Sequence, residues 1–318
     1  GSSPASSTVS SSASTVSPAD AFPITLTGAL GEVVIEQRPQ RVLAVTGADL
    51  DTVVALGVTP VAVPTDDAGQ QIDYPWLEDS LPDDLPVLDV NASTSLPLEQ
   101  IAALDPDLIV ANGYWDLATY YDDLSHIAPV VHFVNGQNAD SWQDTTTIIA
   151  TALGRVDAAT ELIARTDDVI ATTAAQHPDF AGHSFDLVIA RDAVTVSIMR
   201  SEYDAMGQAI SALGLTLSDF ARSVPGDDLK VPLSVELIGD IDSDVFFIVG
   251  PNGIGDTLAA DPVWAALPAF TRGSTVVLTR GAPDALALGF PTALRLQWLM
   301  GEIAPRIGWS QRISASRP

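Results

Sequence analysis

Three arginines occupy positions from which side chains could hold a charged ligand: Arg191 after the apolar run FDLVIA (185–190), Arg200 in the hairpin that follows it, and Arg280 after STVVLT (274–279). A guanidinium presents a planar fork of N–H donors, so such a set suits an anionic, oxygen-rich ligand. Ion pairs with Asp192 or Asp284 are the competing use. The grouping carries weight because the chain has only 14 cationic side chains against 41 acidic ones, for a formal charge of −27. Aromatic residues form a second set. Tyr114 and Trp115 directly follow DLIVA (107–111), with Tyr74 and Trp76 in an earlier loop. Their faces suit a bulky, partly apolar ligand, or equally the packing of a core.

Other chemistries have little support. There is no cysteine, so disulfides and thiolate metal sites are excluded from this chain. The four histidines, His126, His132, His177 and His183, show none of the spacings of a zinc site. Neither a G-x-S-x-G nucleophile elbow nor a G-x-G-x-x-G dinucleotide turn occurs. The glycine-rich turn GPNGIGD (250–256) lacks the Lys-Ser/Thr of a phosphate loop and reads as a loop at a cleft rim. Strong acidity repels nucleic acid and anionic lipid headgroups. No apolar run of 18 residues marks a membrane span.

The elements that would position these side chains alternate in type. Short β-branched runs, RVLAV (41–45), TPVAV (59–63), DLIVA (107–111) and PVVHFV (129–134), are interleaved with segments at helical spacing, 49–56, 98–104 and 117–127. The same alternation resumes with FDLVIA, DVFFIV (244–249) and STVVLT, with helical segments at 203–213 and 291–303. Between the two regions lies a strandless stretch that reads as two helices in series. Ser141 is the expected N-cap with Asp144 three residues on, and Gly154 is the break. The second piece, Val156–Gln176, would extend roughly 30 Å as one rigid helix. Residues 1–20, almost all small and polar, read as a disordered Ser/Thr-rich tether. The expected organisation is therefore a tether (1–20), an α/β lobe (21–140), inter-lobe helices (141–177) and a second α/β lobe (178–318), each lobe with a largely parallel sheet and a ligand cleft between the two. In α/β sheets ligands bind beyond the carboxyl ends of the strands, which selects the arginines and aromatics named above.

A short repeat links the lobes: Glu99-x5-Asp105-x-Asp107 before LIV matches Glu236-x5-Asp242-x-Asp244 before VFF. With it, the segments GALGEVVIEQRPQRVLAVTGADLDTVVALGVTPVAV, LPLEQIAALDPDLIVANG, LSHIAPVV, ALGR, LSVELIGDIDSDVFFIV and DPVWAALPAFTRGSTVVL follow in one order. In that order and spacing the chain, from 24 to 307, resembles the class III periplasmic-type substrate-binding proteins that serve iron–siderophore, haem and vitamin B12 ABC importers. The resemblance implies two lobes on a rigid helix, no catalysis, no cofactor, and a ferric siderophore as ligand. It implies a monomer outside the cytoplasm that docks on a permease dimer through a glutamate of each lobe, Glu99 and Glu236 here. Arg191 sits where such receptors often carry an arginine. A lipid anchor ahead of the tether would be its one link to a membrane. Haem would need an axial ligand, for which Tyr114 and Tyr203 are the candidates.

Overall fold

The computed structural model describes residues 22–65, 72, 74–78, 80–90, 95–136 and 139–307; the expected tether, 1–20, lies outside them. An antiparallel hairpin, β1 (Ile24–Gly28) and β2 (Gly31–Ile35), opens the first lobe. The strands β3 (Val42–Ala44), β4 (Val63–Pro64), β5 (Val87–Leu88), β6 (Leu108–Val110) and β7 (Val130–Val131) follow. β3, β6 and β7 form one parallel ladder and β4 and β5 another. The Val61 N–H donates to the Val42 carbonyl at 2.9 Å, which brings the two ladders side by side. Every residue of β3 and β6 is buried, as expected for parallel strands covered on both faces.

The second lobe contains β8 (Ser184–Ala190), β9 (Val196–Met199), β10 (Thr216–Leu217), β11 (Lys230–Leu233), β12 (Val245–Gly250) and β13 (Thr275–Thr279). Their order is β11-β9-β8-β12-β13, with β10 pairing the start of β8. β8, β10, β12 and β13 run parallel, whereas β9 and β11 add an antiparallel flank that the apolar runs alone do not announce. Pro232 confines β11 to the edge, where a missing N–H does no harm.

The repeated acidic motif has a structural job in both lobes. Asp107, just before β6, accepts the N–H groups of Gln40 and Arg41 at 2.8 and 2.9 Å, at the entrance to neighbouring β3. Asp244, just before β12, accepts the Ser184 N–H at 2.9 Å, at the entrance to neighbouring β8. Parallel strands begin with N–H groups that the ladder leaves unpaired, and one carboxylate per lobe satisfies them.

Between the lobes run the helices Trp142–Ala152 and Val156–Gln176. Ser141 caps the first through the Asp144 N–H at 3.0 Å, and Gly154 turns the chain at φ +63. The C-terminal helix Ala293–Ile307, which follows the second lobe in sequence, packs along the 21-residue strut, the first helix Gly47–Ala55 and the 3-10 turn Pro75–Leu77. Gln297 Nε2 donates to Thr166 Oγ1 of the strut at 2.7 Å. Arg295 Nε donates to Asp51 Oδ2 of the first helix at 2.5 Å, both side chains being almost wholly buried. One continuous apolar core passes from β3 through the strut and C-terminal helix into β8 and β12.

Because Asp51 and Arg295 are inaccessible, removing one partner leaves a buried charge without compensation. Asp51→Ala should lower unfolding stability by about 3–5 kcal/mol, read as the midpoint of a urea titration. An unchanged midpoint would show that the pair does not hold the lobes.

Candidate ligand-binding site

Arg191 and Arg280 emerge at the carboxyl ends of β8 and β13. Their backbones are fixed there: the Arg191 N–H donates to the Thr195 carbonyl at 2.9 Å, and the Arg280 N–H to the Gly250 carbonyl at 2.7 Å. Both side chains are exposed, and neither guanidinium makes a hydrogen bond or ion pair within the described residues. Asp192, beside Arg191, is committed to the turn. It accepts the Val194 and Thr195 N–H groups at 2.9 and 2.7 Å, and these bonds hold its carboxyl below the ordinary range.

The two arginines line one pocket of about 450 Å³ together with Lys230, Thr195, Ser197 and an apolar wall that includes Leu233. Among the described residues no carboxylate and no aromatic ring lines it. Lys230 and Ser197 come from the antiparallel flank and Thr195 from the turn before it, and none stands out in the sequence because β9 and β11 are short and partly polar. The available signal was Lys230 itself, the single lysine of the chain.

Other residues singled out in the sequence have different surroundings. Arg200 donates from Nε to the Val224 carbonyl at 2.9 Å and from Nη1 to the Gly226 carbonyl, so its charge pins the loop before β11 and does not line the pocket. Trp76 donates from Nε1 to Asp51 Oδ1 at 2.8 Å, and the Arg295 guanidinium lies 5.3 Å from the Tyr74 ring and 5.2 Å from the Trp76 ring. Those two aromatics thus enclose the lobe junction. Tyr203 is 79% exposed on the second lobe. Glu99, in the first turn of Leu98–Ala103, and Glu236, in the 3-10 turn Val235–Asp240, are both exposed.

At the corresponding edge of the first lobe, the loops after β3 and β6 are tied together by Asp49. This buried carboxyl accepts the Thr46 hydroxyl at 2.7 Å and the Gly113 N–H at 3.1 Å. The loops approach so closely that a Cβ on Gly113 would lie 2.8 Å from Thr46 Oγ1. Beyond Gly113 the chain turns Tyr114 into the first-lobe core at 5% exposure and leaves Trp115 at 54%. Burial pushes the Tyr114 phenol up to about 12. Among the described residues no group of three or more His, Asp or Glu side chains converges in a metal-binding arrangement. No described helix is long and apolar enough to cross a membrane.

Two α/β lobes braced by a long helix, with a pocket at the carboxyl ends of the strands, are the build of a two-lobed substrate-binding protein. The chain belongs to the periplasmic binding protein family, whose sequence profile matches residues 42–280. It is similar to the Fe(3+)-citrate-binding protein YfmC of Bacillus subtilis, 29% identical over 254 residues covering 76% of this chain and 74% of the relative. The achromobactin-binding periplasmic protein of Dickeya dadantii is 29% identical over 248 residues, 76% of this chain and 78% of that one. Among solved structures, a periplasmic solute binding protein of Mycobacterium smegmatis superposes with a TM-score of 0.76 at 28% identity, covering 90% of this chain and 97% of its own. Streptococcus pneumoniae PiaA in complex with ferrichrome superposes at 0.74 with 25% identity, covering 90% and 97%.

Burial raises the Asp49 carboxyl from an ordinary 3.8 to about 7, and burial raises that of Asp186, inside β8, to about 6. Between the ordinary and raised values the folded chain holds protons that the unfolded chain has lost. The stability these groups contribute is full below about pH 4 and lost as pH rises toward 7. The native protein should therefore melt higher at pH 5 than at pH 8, with a smaller difference in Asp49→Asn. Identical pH profiles for the two would contradict this account of Asp49.

Proposed function

We propose that this protein captures an anionic ferric siderophore outside the cytoplasm and delivers it to the permease of an ABC importer, without turning it over. The observation that carries this reading is the convergence of Arg191, Arg280 and Lys230 on a pocket without a carboxylate, in a chain whose net charge is −27. In so acidic a molecule, a pocket whose charged lining residues are all cations among the described residues is the place where an anion is attracted and not repelled. The names of the relatives agree with an iron chelate as cargo: one binds Fe(3+)-citrate and another achromobactin.

Delivery rests on Glu99 and Glu236. Each opens a short helical turn that feeds a parallel strand, β6 or β12, and such a connection begins at the carboxyl edge of the sheet, where the pocket lies. Two exposed carboxylates on one edge, one per lobe, suit a permease surface with two basic recesses. Charge reversal at both should abolish uptake and leave ligand affinity intact. Normal uptake by the double variant would reject this docking assignment.

Affinity for ferric citrate, followed by tryptophan quenching, tests capture. Arg191→Ala or Arg280→Ala should each weaken binding by about 1.5–3 kcal/mol, one to two decades in Kd, as for other charge-assisted hydrogen bonds. Arg200→Ala should leave the affinity unchanged, because its guanidinium is spent on loop carbonyls. Undiminished binding of anionic chelates by Arg191→Ala and Arg280→Ala would favour a neutral hydroxamate, haem or cobalamin.

A further inference from the structure

One cation of the pocket differs from the other two in chemistry and in company. Lys230 is the single lysine among 14 cationic side chains. Its ammonium is bonded to Asp204 Oδ2, and the side chains are 31% and 6% exposed respectively. Asp204 has little freedom to turn away: its other oxygen accepts the Met206 N–H at 3.0 Å and caps the helix Ala205–Ser211. Arg191 and Arg280, by contrast, have no ion-pair partner among the described residues. The pocket therefore presents two guanidinium groups with no hydrogen bond or ion pair among the described residues, Arg191 having the Asp192 carboxylate as a neighbour, and a third cation that a fixed carboxylate neutralises locally. An ammonium has three donors, and Asp204 occupies one. Two donors of Lys230 remain, and the residue lines the same pocket as Ser197 of the adjacent strand.

We infer that this half of the cleft takes a carboxylate-type ferric chelate, and that the Lys230–Asp204 pair is its specificity element. Resting on the anionic-chelate reading, the inference narrows that reading to one ligand class. Two guanidinium forks match two carboxylates in number and shape. The Ser197 hydroxyl in the same lining suits an alcohol or carboxylate oxygen of a hydroxycarboxylate, whereas that of Thr195 donates to Asp192 at 3.1 Å. Among the described residues, the second-lobe lining has no aromatic face to stack on the ring of a catecholate. Lys230 donates to a further ligand oxygen while Asp204 cancels its net charge, so a chelate face with two negative charges is matched and a face with more is not.

The test compares ferric citrate with ferrichrome, a neutral trihydroxamate, on the native protein and on Lys230→Gln, Asp204→Asn and the double variant. Asparagine caps a helix as well as aspartate does, so Asp204→Asn removes the charge and keeps the fold. Lys230→Gln should lower the preference for ferric citrate over ferrichrome about tenfold, and Asp204→Asn should raise it by a similar factor, the scale of one charge-assisted hydrogen bond. The double variant leaves no buried charge unpaired and should behave like Lys230→Gln. With the lysine carrying ¹³C-methyl groups, saturation with diamagnetic gallium citrate should shift its resonance.

A purely structural pair would give lower melting temperatures in the single variants, an unaltered citrate preference and an unmoved lysine resonance, and would overturn the inference. If Arg191→Ala weakens ferric citrate and Lys230→Gln does not, the specificity assignment alone falls. If neither substitution affects ferric citrate, or the native protein does not bind it, the carboxylate class falls as well.

Discussion

The buried ion pair between Asp51 and Arg295 joins the two lobes. Burial pushes the Asp51 carboxyl up from its ordinary value, and the Arg295 guanidinium, the Trp76 indole N–H and the Thr292 hydroxyl pull it back. Its partners come from the C-terminal helix and the 3-10 turn at Pro75–Leu77, so the carboxylate gathers elements from both ends of the chain. The Tyr74 and Trp76 rings cover the guanidinium and keep water from it. Unlike a surface salt bridge, such a pair tolerates no loss of geometry, because each charge depends on the other for its compensation. The strut Val156–Gln176 is therefore one of two braces. The other is the C-terminal helix, held to the strut through Gln297 and to the first lobe through Arg295.

A fixed lobe junction makes the placement of the strand ends meaningful. The parallel strands of each sheet end at the edge that carries the candidate cleft, and their entrances are secured at the opposite edge by Asp107 and Asp244. Short side chains and tight turns then decide what reaches the cleft. Asp192 draws the turn after β8 closed with the Arg191 side chain exposed, while Asp49 draws the loops after β3 and β6 together. Asp49, Asp107, Asp192 and Asp244 serve these turns and strand entrances, and among the described residues no carboxylate lines the cationic pocket.

Much of this was legible in the sequence, for local reasons. The strut was readable because Gly154 ends one helical pattern and nothing interrupts the next until Gln176. The strands in the parallel ladders announced themselves as unbroken apolar runs, and the twin acidic motif reported the same backbone need in each lobe. What escaped was non-local. β9, β10 and β11 are two to four residues long and gain their identity only by pairing with β8 or with one another. Tyr74 and Trp76 resemble ligand-facing aromatics until Arg295 is seen to reach Asp51 across 244 positions of sequence. Tyr114 and Trp115 are adjacent, and only the turn after Gly113 assigns one to the core and the other to solvent. Arg200 and Arg280 are equivalent on paper, yet the carbonyls of Val224 and Gly226 claim the first.

The central claim is that the cations of the second lobe hold an anionic iron chelate at the carboxyl edge of its sheet. A crystal structure grown with ferric citrate, with the iron located by its anomalous scattering, addresses it most directly. The account predicts an iron centre beside the pocket, with chelate oxygens within hydrogen-bonding distance of Arg191, Arg280 and Lys230. Iron bound elsewhere on the chain, or coordinated by its aspartates or histidines, would contradict it.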